Sequence, residues 1–82
     1  MDKRIGTITI IITDRANQAL KVNQILCNYG EVIMGRMGLP HGPGDLHIIA
    51  LIVHATTDEI GALTGKLGAV PGVSVKASLT KV

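Results

Sequence analysis

From Arg4 to Thr13 the chain interleaves Ile5, Ile8, Ile10, Ile11 and Ile12 with Thr7 and Thr9. So β-branched a run predicts a central or near-central strand, stopped at Asp14. Over Arg15 to Tyr29 the apolar positions change period: Ala19, Val22, Ile25, Leu26 and Tyr29 share one helical face. Gly30 then stands where a left-handed cap would end the helix. Glu31 to Leu39 reads as a second strand, interrupted by Gly35 and Gly38 where a bulge or close backbone approach is expected. Pro40-His41-Gly42-Pro43-Gly44 makes a turn, and Asp45 to His54 a third strand.

Thr56 and Glu59 have the spacing of a capping box, so a second helix begins there with Ile60, Leu63, Leu67 and Val70 as its buried stripe. Gly61, Gly65 and Gly68 lower its helix propensity by roughly 1 kcal/mol each, which suggests close packing against a neighbour. Pro71-Gly72 ends it. In the last strand Val73, Val75, Ala77 and Leu79 alternate with Ser74, Lys76, Ser78 and Thr80, giving one inner face.

The order strand, helix, strand, strand, helix, strand predicts an α+β, ferredoxin-like βαββαβ sandwich: a four-stranded antiparallel sheet with two helices on one face. The 82 residues form a single domain, residues 1–82. The third strand sharpens this picture. Leu46, Ile48, Ala50 and Ile52 lie on one side and His47, Ile49, Leu51 and Val53 on the other, so both sides are apolar. Only one can face the helices. A domain this small removes only about 60% of its unfolded surface from water. The sheet's second face is therefore expected to be covered by a second copy of the chain, in a dimer or tetramer.

Composition narrows the function classes. The chain is 46% hydrophobic with Tyr29 as its sole aromatic, and its formal net charge of +2 comes from basic residues scattered along the sequence. Neither a basic stripe nor a stacking platform is present, which argues against direct nucleic-acid binding. Asp2, Lys3 and Arg4 run straight into the first strand and no apolar run reaches transmembrane length, so a cytoplasmic chain without a membrane segment is expected. Cys27 is alone, and its place in the helical pattern reads as a small buried hydrophobe.

Catalytic motifs are absent. Gly61 to Lys66 resembles a phosphate loop in part, but the glycines are one residue too close and Leu67 replaces the Ser or Thr that would meet magnesium. The chain is therefore expected not to be an enzyme and to need no cofactor. His41, His47 and a partner copy's Cys27 are candidate nickel, copper or zinc ligands. Against this, His41 sits in a Pro and Gly turn, and His47 and His54 point to opposite faces; no metal site is assigned. A small-ligand site has more support at Asp14-Arg15-Ala16-Asn17, where unpaired amides and partial positive charge gather at a helix start, although Asp14 taken alone reads better as an N-cap. Arg36, Met37 and Gly38 are the other candidates: a long cation between two glycines either reaches an anion or neighbour, or simply guards an edge strand.

Gly35-Arg36-Met37-Gly38-Leu39-Pro40, Ala55-Thr56-Thr57-Asp58-Glu59-Ile60, Ala62-Leu63-Thr64-Gly65-Lys66-Leu67-Gly68 and Pro71-Gly72-Val73 together resemble the iron-only hydrogenase system regulator family, over Arg4 to Lys81. The resemblance implies an ACT-like fold, similar also to the C-terminal sensor domain of nickel-responsive repressors. Those repressors carry a separate DNA-binding segment, whereas only three residues precede Arg4 here, so a transcriptional role implies a separate DNA-binding or regulatory partner. The histidines do not follow the sensor's metal pattern. ACT-like domains place effectors near the first loop and at subunit interfaces, which directs attention to Asp14 through Asn17, but the acidic-Pro-Gly turn of amino-acid binders is missing. The expected function is a regulatory, small-molecule-sensing oligomer of the hydrogenase system; the alternative is a nickel, zinc or copper sensor.

Overall fold

The computed structural model describes residues 2–81. Its elements run β1 (Arg4–Ile12), α1 (Arg15–Cys27), β2 (Ile33–Leu39), β3 (His47–Ala55), α2 (Thr57–Gly68) and β4 (Val73–Leu79), with a short 3₁₀ turn at Pro43–Asp45. This is the expected βαββαβ order. The strands form one antiparallel four-stranded sheet in the order β2-β3-β1-β4. The isoleucine-rich β1 and the doubly apolar β3 are thus the central pair, as the β-branched content of β1 predicts for that strand.

Strand alternation sorts the side chains. Ile8, Ile10 and Ile12 of β1 and Ile49, Leu51, Val53 and Ala55 of β3 are buried beneath the helices. Val22 and Leu26 from α1 and Ile60, Leu63 and Leu67 from α2 complete this core. Full burial of each Ile or Leu contributes about 1.5–3 kcal/mol, so this layer is what holds the domain together. Lys66 of α2 lies over the Tyr29 ring, 5.2 Å from its centre, and ties the helical layer across its outer edge.

Gly6 marks a close approach. A Cβ there would fall 2.4 Å from the Ser78 carbonyl oxygen and 2.5 Å from Leu79 Cδ2, so β1 and β4 pair at a distance only glycine permits. Gly72, at φ 77°, turns the chain into β4, and its carbonyl accepts from both the Thr13 amide (2.9 Å) and the Thr13 hydroxyl (3.0 Å). This couples the end of β1 to the start of β4.

Three local expectations are corrected. Helix α1 ends at Cys27 and is capped by Asn28, whose amide donates to the Ile25 carbonyl while the Tyr29 amide donates to that of Leu26; Gly30 is not left-handed, because the chain leaves through right-handed turns instead. Cys27 is exposed, not buried: it lies one position past Leu26 and so turns away from the sheet. Gly61, Gly65 and Gly68 pack against nothing, since a Cβ at each would meet no atom within 4 Å. They occupy the outer side of α2. Replacing Gly61 and Gly65 together with alanine is therefore expected to stabilise the domain by about 1–2 kcal/mol in urea unfolding. Unchanged or lower stability would show that this surface needs its glycines.

The Thr56–Glu59 capping box forms as expected: the Glu59 amide donates to Thr56 Oγ1 (3.1 Å), and the Thr56 amide to Glu59 Oε1 (2.8 Å). These hydrogen bonds from the Thr56 backbone and side chain, with a smaller contribution from Lys3, hold the Glu59 carboxyl below its ordinary value. A carboxyl lowered by folding stabilises at neutral pH, and that contribution disappears as the pH falls through its folded-state value. Thr56→Ala is expected to cost about 1 kcal/mol, whereas Glu59→Gln, which removes the carboxyl itself, is expected to flatten the acid-side decline in melting temperature. A parallel acid limb in the Glu59→Gln variant and parent would exclude Glu59 as its source.

Candidate functional site

With both helices on one side, the sheet's opposite face is open. On it β1 presents Ile5, Thr7, Thr9 and Ile11; β3 presents Ile48, Ala50, Ile52 and His54; β2 presents Gly35, Met37 and Leu39. Ile5 is 40% exposed, Ile52 47%, Leu39 52% and Met37 75%, a run of large apolar side chains unusual for a surface that faces only water. The bulge between Ile33 and Gly35, at the glycine that predicted it, sets this outward register of β2. Between Met37 and Ile52 lies a shallow apolar depression of about 310 Å³, floored by Gly35 and Ala50 and flanked by Thr7 and Thr9. The apolar character stops at β4, whose outward residues are Ser74, Lys76 and Ser78. The open face is therefore half greasy and half polar. The contributions of Thr7, Thr9 and Leu39 were not singled out from sequence, although alternation opposite Ile8 and Ile10 already puts the two threonines there.

The Asp14-Arg15-Ala16-Asn17 junction lies at the end of β1, beside Gly72. The Asp14 side chain does not cap the helix. Its two carboxylate oxygens accept from Asn17 Nδ2 at 3.1 and 2.9 Å, while the Asp14 carbonyl accepts from the Asn17 and Gln18 amides. A helix start and a fixed carboxylate thus share one surface, and a simple anion approaching the amides would meet Asp14's negative charge. Ala16 is exposed; the Arg15 side chain lies outside the described residues.

Arg36, Met37 and Gly38 do not share a face. Arg36 pairs with Leu51 and Gly38 with Ile49, on the helix side, whereas Met37 pairs with Ala50 on the open side. The Arg36 guanidinium donates to Asn23 Oδ1 of α1, so this edge-strand cation is held against its own helix. Gly38 adjoins His47: a Cβ there would lie 3.8 Å from His47 Nε2. Within one protomer Asp14 stands beside β4 and Arg36 on β2, with β3 and β1 between them. One chain does not bring the two halves of the candidate ligand site together.

His41 Nδ1 is 2.8 Å from Asp45 Oδ1, an exposed pair within the turn, where Gly44 and Asp45 both adopt positive φ. Cys27 lies at the far end of α1, about 20 Å of helix away from the end that holds His47. It borders a cleft with Tyr29, Glu31 and Glu59. Among the described residues no three of His, Cys, Asp and Glu are placed to hold a metal ion, and no helix is long and apolar enough to cross a membrane.

Comparison with known proteins adds a second line. Residues 4–77 match the family described as TM1266-like, iron-only hydrogenase system regulator. The solved structure of the uncharacterized protein TM1266 from Thermotoga maritima is 40% identical, covers 98% of this chain and 100% of its own, and superposes with a TM-score of 0.91. The C-terminal domain of the MgtC protein from Mycobacterium tuberculosis (16% identity, 94% of this chain and 87% of that one, TM-score 0.73) shares the fold. So does CPII, a nitrogen regulatory PII-like protein from Thiomonas intermedia K12 solved with ADP, AMP and bicarbonate (17% identity, 96% and 92% coverage, TM-score 0.54). No curated protein is significantly similar in sequence.

Proposed function

Because the chain belongs to the TM1266-like family of iron-only hydrogenase system regulators, we propose that it acts as a non-enzymatic, ACT-like regulatory module that senses a small molecule as an oligomer. The observation that carries this reading is the open sheet face, apolar on its β1, β3 and β2 side and backed by a core too small to be secure alone. A second copy is the occupant that fits. The depression between Met37 and Ile52 lies beside the ridge those side chains form, and a two-fold interface requires such a self-complementary patch. The polar β4 half then lies at the rim.

Assembly also bears on the separation of the Asp14 junction from the β2 strand. Residues from different protomers, the Asp14 to Asn17 junction of one and the β2 strand of another, supply the two halves of a ligand site at the subunit boundary. An effector there shifts the equilibrium between subunit arrangements by its difference in affinity for them, and regulation follows through a separate DNA-binding or regulatory partner. A metal-sensor reading draws less support, since the described histidines and Cys27 do not converge.

The test combines sedimentation with calorimetry on the intact chain. Association at micromolar concentration, with saturable heat from one of a panel of amino acids, organic acids and nucleotides, is the expected result. An assembled protein that binds none of them would leave a scaffold, and a stable 8.6 kDa species would remove the oligomeric premise altogether.

A further inference from the structure

The basic residues are scattered along the sequence, but the fold gathers three of them at one end of the sheet. Lys3 and Arg4 lead into β1, His54 closes β3, and Lys81 follows β4; together with Asp2 they line a cleft of about 530 Å³. The pairing that creates it is specific. Ile5 lies opposite His54 in the β1–β3 register. The Ile5 carbonyl also accepts from both the Thr80 amide (2.9 Å) and the Thr80 hydroxyl (2.7 Å), which fastens Lys81 beside Arg4.

Three permanent cations and an imidazole face one lining carboxylate, Asp2, so the described groups carry a surplus of two positive charges with His54 neutral. Glu59 stands near Lys3, but its carboxylate is already engaged by Thr56. The cleft falls within the size range of small-molecule sites, and guanidinium, ammonium and imidazole are the donors that recognise phosphoryl oxygens. One carboxylate against three cations favours a multiply charged anion over a monocarboxylate.

We propose that this cleft is a binding site for a phosphorylated small molecule carrying at least a diphosphate's charge. It lies at the opposite end of the domain from the Asp14 junction and does not depend on the reading of the sheet face. Arg4 and Lys81 grip the phosphoryl oxygens from neighbouring strands, and Lys3 and His54 close the sides.

The experiment is an amide-detected NMR titration of the full chain with inorganic pyrophosphate at constant ionic strength. Saturable shifts centred on residues 2–5, 54–55 and 80–81 are expected. Arg4→Gln and Lys81→Gln should each weaken binding by about tenfold or more, the loss of one charge-assisted hydrogen bond, while Lys76→Gln on the open face should not. All three side chains are at the surface, and retained amide dispersion verifies folding. Shifts that do not saturate, that chloride reproduces at matched ionic strength, or that persist in both Arg4→Gln and Lys81→Gln would overturn the proposal. Tighter binding of a DNA duplex or an anionic vesicle with the same footprint would also overturn it, in favour of a macromolecular partner.

Discussion

Ile52→Lys is expected to leave a folded single chain of 8.6 kDa where the parent protein is expected to sediment as an oligomer. Ile52 sits on β3 near the middle of the apolar half of the open face, between Ala50 and His54 and opposite Gly35 of β2. In a lone protomer a lysine there is solvated and costs no more than the small difference in strand preference, under about 1 kcal/mol. In a face-to-face assembly each copy would bury an ammonium without a partner, next to its symmetry mate. Breaking burial in this way costs about 3–5 kcal/mol, enough to raise the dissociation constant by a hundredfold or more. Far-UV circular dichroism should be unchanged. If the variant sedimented like its parent, the subunits would have to meet elsewhere.

The second large effect concerns Gly6, buried in the central strand. Gly6→Ala puts a methyl group 2.4 Å from the Ser78 carbonyl oxygen and 3.1 Å from Leu79 Cα, both backbone atoms. A flexible side chain could swing aside; paired backbone cannot. The β1–β4 ladder would have to part next to Thr80, whose two hydrogen bonds to the Ile5 carbonyl fasten the end of β4. We expect a loss of about 3 kcal/mol or more, at the upper end for overpacking, and a melting temperature lower by at least about 12 °C. By contrast, alanine at the exposed Gly61 and Gly65 should raise stability. The opposite signs of two chemically identical changes would test the packing directly, and a Gly6→Ala protein with parental stability would contradict the strand spacing.

Much of the fold was legible because its signals are local. The threonine-isoleucine alternation of β1, the Val22-Leu26 stripe of α1, the Thr56–Glu59 capping box and the Pro71-Gly72 break each depend on residues within one turn or one pleat, and each appears where the pattern places it. The errors were of another kind. Cys27 is one residue beyond the buried Leu26, and a helical stripe about 100° wide does not resolve its own edge. The α2 glycines gave a true propensity signal, but its cause cannot be inferred without knowing which surface they face. Asp14 has the composition of a cap; its carboxylate instead accepts from the Asn17 side chain, a choice set by local backbone angles that residue identity leaves open.

By itself the sequence determined the βαββαβ order, the central or near-central place of β1, and the presence of an apolar surface with no cover inside the protomer, because periodicity and β-branching act over a few residues and the length bounds what can be buried. Tertiary structure alone decided that the uncovered face is greasy only as far as β1, that Arg36 turns back to Asn23, that Asp14 and Arg36 stand apart, and that Lys3, Arg4, His54 and Lys81 line one cleft. Each of these depends on strand order and register. Those are set by contacts between residues up to 75 positions apart, such as Ile5 with Thr80, and no local pattern along the chain carries that information.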